Sequence, residues 1–170
     1  HQARIMEFYD MVASAGNGVS LAEITKAQQS DRFAVQMSAF LTTGKEVLPS
    51  DELEVLRTIA NAPFYAVDDG TLVRVTKGKA LKPPADGPDI SSVDTVKNAP
   101  PVKRIYVPEG MRGQIVNCVH SELGHAGRDN TYQTIKSLFD WPTMHRDTVE
   151  LVKHCANCQL HAHKAPAAPI

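Results

Sequence analysis

Two histidines and two cysteines, in the last third of the chain, constrain its fold more than any other feature of the sequence. His120 and His125 are separated by four residues, Cys155 and Cys158 by two, and 29 residues lie between the two pairs. Zinc in structural sites takes four nitrogen or sulfur ligands in a tetrahedron, which two imidazoles and two thiolates supply. The spacing therefore predicts one structural Zn²⁺ ion that holds these two short segments together.

Each half of this pattern is weak alone, because a single CxxC pair is common and the chain has 7 histidines. The combination is far more specific, since the pairs lie at opposite ends of a helical pattern and Gly124 and Gly127 allow a bend around the second histidine. Cys118 is in phase with apolar residues of a helix and is expected to be a buried thiol. His154 directly precedes Cys155 and could compete as a ligand, but its helical phase points away from the apolar stripe. His161 and His163 lie in the tail and are predicted to be solvated.

A catalytic zinc would keep an open position for water, whereas four protein ligands are available here. The chain also lacks an HExxH motif, so a zinc hydrolase is disfavoured. With only 3 cysteines, a disulfide framework is disfavoured, and a metal site in a reducing compartment is expected instead. No run of apolar residues approaches the length of a membrane span.

Apolar residues recur at helical spacing in three stretches of the C-terminal part, which predicts three short amphipathic helices. Asp129-Asn130 is a candidate cap for the second of them. Trp141 beside Pro142 is expected to fill the core rather than to stack on a nucleic-acid base. A unit of about 60 residues encloses a small core and usually needs additional stabilisation, for example by a bound metal ion. The three stripes are Met111, Ile115, Cys118 and Val119; Thr131, Ile135, Leu138 and Phe139; and Met144, Thr148, Leu151, Val152 and Cys155.

The N-terminal part is predicted to hold further helices followed by a β-hairpin. Ser20 and Glu23 form a capping box, and Gly44 ends the next helical stripe. Asp68-Asp69-Gly70 supplies the positive φ angles of a tight turn between two short apolar runs. Ile105-Tyr106-Val107 is a candidate third strand. The helical stripes are Ile5, Phe8, Tyr9 and Val12; Phe33, Met37, Phe40 and Leu41; and Leu53 and Leu56.

The fold class expected from these patterns is mainly α with a small β element. A helical N-terminal extension with a hairpin or three-stranded sheet would span residues 1–81, and a three-helix zinc-binding bundle residues 102–165. Residues 82–101 are rich in proline and predict a linker or long loop, and residues 166–170 a tail. The net charge is −1, with 10 basic and 13 acidic residues before position 101 and 8 and 6 after it. The excess of positive charge is therefore confined to the zinc-binding part.

The C-terminal motifs together resemble the HHCC zinc-binding domain of integrases from gypsy-class LTR retrotransposons and retroviruses, over about residues 104–164. The resemblance implies zinc at His120, His125, Cys155 and Cys158, and a role in multimerising integrase and holding the ends of the element's DNA. The sequence departs from the usual pattern of this family at two positions. Asp140 stands where the family usually has an aromatic residue, and Thr148 where an aliphatic residue is usual. The hairpin resembles the small extension that precedes this domain. The motifs are Tyr106-Val107-Pro108, His120, Gly124-His125-Ala126-Gly127, Thr131, Trp141-Pro142-Thr143-Met144, Asp147 and Cys155-Ala156-Asn157-Cys158-Gln159.

No spaced acidic triad of an integrase catalytic core can be placed in the chain, so this piece alone is not expected to cut or join DNA. The expected partners are DNA, bound weakly, and other integrase protomers, with homo-oligomers in the full-length context. The alternative is a zinc-stabilised protein-interaction module domesticated from a retroelement. The expected location is intracellular, in the nucleus or a cytoplasmic retroelement particle. Candidate contacts to DNA phosphates are Arg128, Lys136, Arg146 and Lys153.

Overall fold

The computed structural model describes residues 19–45, 51–77 and 101–162. The predicted helix around Ile5 to Val12, residues 82–100 of the predicted linker, and the 166–170 tail lie outside the described residues. So does His163, and the side chain of His161 is not described either. The division into an extension, a linker and a zinc-binding domain stays a prediction.

Three α-helices precede the sheet among the described residues, and short polar side chains cap their N-termini. Ser20 accepts from the Glu23 N–H and Glu23 reaches back to the Ser20 N–H, which confirms the capping box. Asp31 and Asp51 cap the next two helices in the same way. Gly44 ends the second helix in the left-handed region, as predicted, with φ at 69°. The helices are α1 Leu21–Gln28, α2 Arg32–Thr43 and α3 Glu52–Asn61.

The hairpin is confirmed, with Asp69 and Gly70 at φ 47° and 78° in its two-residue turn. The third strand is confirmed as well, and it pairs antiparallel with the second. The structure adds a short fourth strand that pairs parallel with the third. The described residues thus form a sheet in the order β1-β2-β3-β4, with strands β1 Tyr65–Asp68, β2 Thr71–Thr76, β3 Val102–Tyr106 and β4 Phe139–Asp140.

The C-terminal helices match the predicted stripes in position but not at their ends. The helix containing Thr131 begins at Arg128 after Gly127 and has no side-chain cap, so the predicted Asp129-Asn130 cap is wrong. The helix that follows Pro142 stops at Lys153, so Cys155 lies beyond it rather than on its inward stripe. A further short helix then carries Cys158. The described helices here are α4 Glu109–Glu122, α5 Arg128–Leu138, α6 Met144–Lys153 and α7 Ala156–Ala162.

The sheet lies between two apolar cores. On one face Tyr65, Leu72 and Tyr106 pack against α2, together with Ala34 and Met37. On the other face the larger core joins strands β2 to β4 to helices α4, α5 and α6 and also takes in α1. Because both sides of the predicted linker contribute to this core, the zinc-binding helices have more apolar support than 60 residues alone would give. Its buried residues are Val19, Ile24, Val73, Ile105, Val107, Ile115, Val116, Val119, Ile135, Phe139, Trp141 and Met144.

A buried glutamine joins α1 to the sheet where the ladder between β2 and β3 stops. The Gln28 amide donates to the carbonyl oxygens of Leu72 at 3.0 Å and Tyr106 at 2.7 Å. Its own oxygen accepts the Leu72 N–H at 2.7 Å. One side chain therefore satisfies three backbone groups that the neighbouring strand does not reach.

Trp141 is 2% exposed and its indole N–H donates to the Asp147 carboxylate at 2.9 Å, which confirms a core position. Cys118 is buried as predicted, and burial raises the pKa of its thiol. Within the described ranges, no helix is both long enough and apolar enough to cross a bilayer.

Candidate metal centre

The fold brings the four predicted zinc ligands together at one end of the helical part. One potential ligand atom from each of His120, His125, Cys155 and Cys158 lies within 4.8 Å of the others. His120 comes from the last turn of α4 and His125 from the loop after it, whereas Cys155 precedes α7 and Cys158 lies in its first turn. Residues 30 and more positions apart in sequence thus converge on one point.

The nitrogen–sulfur distances suit a shared tetrahedral ion. His120 Nε2 lies 3.2 Å from Cys158 Sγ, and His125 Nδ1 lies 3.4 Å from Cys155 Sγ. A tetrahedron with Zn–S of about 2.3 Å and Zn–N of about 2.0–2.1 Å has nitrogen–sulfur edges of about 3.5 Å. Since this donor set is typical of structural zinc, the four residues are positioned to bind one zinc ion.

A turn with two left-handed residues positions His125. Gly124 has φ at 64° and His125 itself has φ at 61°, a region that costs a residue with a Cβ about 1–2 kcal/mol. The His125 N–H donates to the His120 carbonyl at 2.9 Å, which closes the turn between the two ligands. The two rings stand almost perpendicular, 4.9 Å apart. The predicted bend is therefore confirmed at Gly124, whereas Gly127 has an ordinary φ of −58°.

His120 is held by a buried threonine on α5. Its Nδ1 lies 3.4 Å from Thr131 Oγ1, and that hydroxyl reaches the carbonyls of Ala126 and Gly127 at 3.3 and 3.2 Å. A hydrogen bond at Nδ1 fixes the ring so that Nε2 faces the cysteines. Burial, with His125 beside it, lowers the pKa of His120, which favours the neutral imidazole that a metal requires.

His125 faces the site with Nδ1, whereas His120 faces it with Nε2. Its Nδ1 points at Cys155, and its Nε2 lies 3.0 Å from Asn157 Nδ2. When Nδ1 binds a metal, Nε2 carries the proton, so the Asn157 amide must turn over and accept from this N–H with its oxygen in place of Nδ2. Asn157, which lies between the two cysteines, therefore orients the second histidine.

The two thiols differ in how readily they ionise. The backbone N–H of Cys158 lowers the pKa of Cys155, as an amide donor stabilises a thiolate. Burial raises the pKa of Cys158, and the neighbouring Cys155 adds to this effect. Zinc binding therefore releases a proton most clearly from Cys158, and the affinity for zinc should fall as the pH is lowered.

The structure separates the ligands from the other candidate residues. His154 is exposed and its Nδ1 lies 2.8 Å from the Glu150 carbonyl, outside the group of four. Thr131 and Asn157 are the residues that sequence reasoning missed as orienting groups. The signal for Thr131 was a hydroxyl on an otherwise apolar stripe.

Comparison with known proteins agrees with this geometry. Residues 107–164 match the family described as the integrase zinc binding domain, and this segment contains all four candidate ligands. This segment is therefore similar to an integrase zinc binding domain. The matched region covers about a third of the chain and begins at the end of β3.

The curated relatives are Pro-Pol polyproteins of foamy viruses. The protein from Simian foamy virus type 3 (strain LK3) is 34% identical over 67 residues, which is 39% of this chain and 6% of the polyprotein. The protein from Simian foamy virus type 1 is 33% identical over 52 residues, 31% of this chain and 4% of the polyprotein. No solved structure matches the chain significantly.

Thr131→Val is expected to weaken zinc binding by about 10- to 100-fold, because it removes the hydrogen bond that orients His120 while keeping the side-chain volume. Competition for zinc with a chromophoric chelator measures this change. Thr148→Val is the matched control, since Thr148 is equally buried but donates only to the Met144 carbonyl. Equal zinc affinities for the two variants would show that Thr131 does not orient the ligand.

Proposed function

We propose that this chain is a non-catalytic zinc-binding module of a retroelement integrase, or of a protein derived from one, that supports multimerisation and DNA binding during integration. The observation that carries the proposal is the convergence of two imidazoles and two thiolates within a segment that matches the integrase zinc binding domain. Four protein ligands complete a tetrahedron and leave no position for a reacting water. Zinc here would supply folding free energy and hold two chain segments together, with no step of chemistry at the ion.

Exposed cations on the zinc-binding helices support the DNA part of the proposal. Arg128 and Lys136 are eight residues apart on α5, and Arg146 and Lys153 seven apart on α6, so each pair shares one face of its helix. Within the described ranges, Arg128 and Arg146 form ion pairs only with neighbouring aspartates, at 3.7 and 3.4 Å, and remain largely exposed. Such side chains are free to contact phosphates without a large desolvation cost.

We propose an intracellular location, in the nucleus or a cytoplasmic retroelement particle, where DNA is present.

Fluorescence anisotropy with a labelled duplex, at two salt concentrations, tests DNA binding by the zinc-loaded chain. The double variant Arg146→Gln/Lys153→Gln should weaken binding and reduce the log–log salt slope by about 2, since about one counterion is released per phosphate contact. The control is Lys26→Gln/Lys45→Gln, which removes the same charge from exposed sites on the extension. An absence of binding by the unaltered chain at low salt would overturn the DNA part.

A protein-interaction module is the second candidate, and the surface of the extension favours it. Leu53, Leu56 and Ile59 lie along one side of α3, and with Phe64 each is at least half exposed. Exposed apolar side chains clustered in this way mark contact surfaces more often than scattered ones do. Sedimentation velocity over a range of chain concentrations distinguishes the candidates, because association without DNA supports the interaction module and a constant monomer disfavours it.

A further inference from the structure

Two arginines face each other across neighbouring strands of the sheet, away from the zinc site. Arg74 on β2 is directly opposite Arg104 on β3, and Tyr65 on β1 is directly opposite Arg74. Directly paired residues on antiparallel strands project from the same face, so these three side chains form a row. Like charges in such a pair repel each other, which makes the arrangement unfavourable unless a negative charge compensates it.

The protein compensates one of the two charges. Arg74 Nη1 lies 3.1 Å from Asp140 Oδ2, and the Asp140 side chain is nine-tenths buried. No carboxylate of residues 19–45, 51–77 or 101–162 lies within ion-pair distance of Arg104. Among the described residues, the row and its aspartate therefore carry one uncompensated positive charge.

Both guanidinium groups also have hydrogen-bonding capacity that the described residues leave unused. The Nε atoms of Arg74 and Arg104 are buried and have no hydrogen-bond partner in the described part of the chain. A buried N–H without a hydrogen-bond partner is unfavourable. A ligand that accepted a hydrogen bond from it would therefore bind more tightly. The Arg74 side chain is still 37% exposed, and Arg104 is half-buried, so both residues remain partly accessible to solvent.

We propose that Arg74 and Arg104 form a binding site for a phosphate oxyanion, with Asp140 and Tyr65 holding Arg74 in place. A guanidinium offers parallel N–H donors that match the oxygens of a phosphate, and two of them can bracket a single group. Arg74 lies 6.0 Å from the centre of the Tyr65 ring, which restrains it from the side opposite Arg104. Assigning the phosphate to a DNA backbone rests on the proposed function, whereas the oxyanion site itself does not.

Arg104→Gln is the decisive variant, because Arg104 has no structural ion pair among the described residues. The control is Lys103→Gln, which removes the same charge one position away, where the side chain belongs to the other face and pairs with exposed Asp68 at 2.7 Å. In thermal melts at matched ionic strength, inorganic phosphate should raise the melting temperature of the unaltered chain and of Lys103→Gln above the chloride value. Arg104→Gln should lose at least half of this rise.

The DNA arm uses the same proteins with a labelled duplex. Arg104→Gln should bind DNA roughly fivefold more weakly and reduce the log–log salt slope by about 1, with Lys103→Gln close to the unaltered chain. The chain could also respond to phosphate through Arg104 and yet bind no DNA. This result would support an oxyanion site for free phosphate and would overturn the DNA part of the proposed function.

Two results would overturn the site. One is an equal response of Arg104→Gln and Lys103→Gln to phosphate. The other is an unaltered chain that phosphate does not stabilise at all. If Arg104→Gln also melted at a lower temperature than the unaltered chain in chloride alone, the arginine would be paired within the chain. Arg104→Lys keeps the charge without the fork of donors and should recover only part of the phosphate response.

Discussion

Cys158→Ser is expected to abolish stable zinc binding and to lower the melting temperature of the zinc-loaded chain by at least about 10 °C. Structural zinc contributes about 10–16 kcal/mol in small zinc-binding peptides, as much as the whole stability of a typical domain. Losing about 5 kcal/mol of this would lower the melting temperature of a chain of this size by about 10–20 °C. Metal content after dialysis and a circular dichroism melt measure both effects.

Cys118→Ala is the matched control for this variant, because it removes the third thiol of the chain from the core instead of the site. It should keep one zinc ion per chain and lose only about 1 kcal/mol of stability, as expected for a small cavity. If the two variants lost zinc and stability equally, or if Cys158→Ser kept both, the four-ligand assignment would be wrong.

Gln28→Leu is expected to reduce the free energy of unfolding by about 2–4 kcal/mol. The side chain keeps a similar volume, but the Leu72 N–H and the carbonyls of Leu72 and Tyr106 lose their partner inside the protein. The effect should be visible in urea unfolding as a lower midpoint with an unchanged slope. It should occur with zinc bound, because Gln28 lies away from the four ligands.

Gln29→Leu provides the comparison, since Gln29 follows directly in the chain but its side chain is exposed. A surface change of this kind is expected to alter stability by less than about 0.5 kcal/mol. Similar midpoints for the two variants would show that the amide of Gln28 does not join α1 to the sheet.

The metal site could be predicted because ligand chemistry restricts residue type as well as spacing. Few arrangements other than zinc explain two histidines and two cysteines at opposite ends of a helical pattern, and the structure places them together. The orienting groups could not be predicted in the same way. A hydroxyl such as that of Thr131 is compatible with many positions in a helix, and only the three-dimensional fold shows that it meets the His120 ring.

The helices and the hairpin of the fold followed from periodicity, caps and turn residues. The fourth strand did not, because a strand of two residues has no period, and Phe139 fits the stripe of the preceding helix equally well. The contacts of Gln28 were also beyond the sequence, since its partners are 44 and 78 residues away. Long-range polar contacts depend on which elements pack together, and local patterns do not encode this.

X-ray absorption at the zinc edge of the loaded chain identifies the atoms that are bound to the ion. We expect two sulfur atoms at about 2.3 Å and two imidazole nitrogens at about 2.0–2.1 Å, with one ion per chain. A first shell made only of oxygen and nitrogen, or one with a single sulfur, would contradict this expectation.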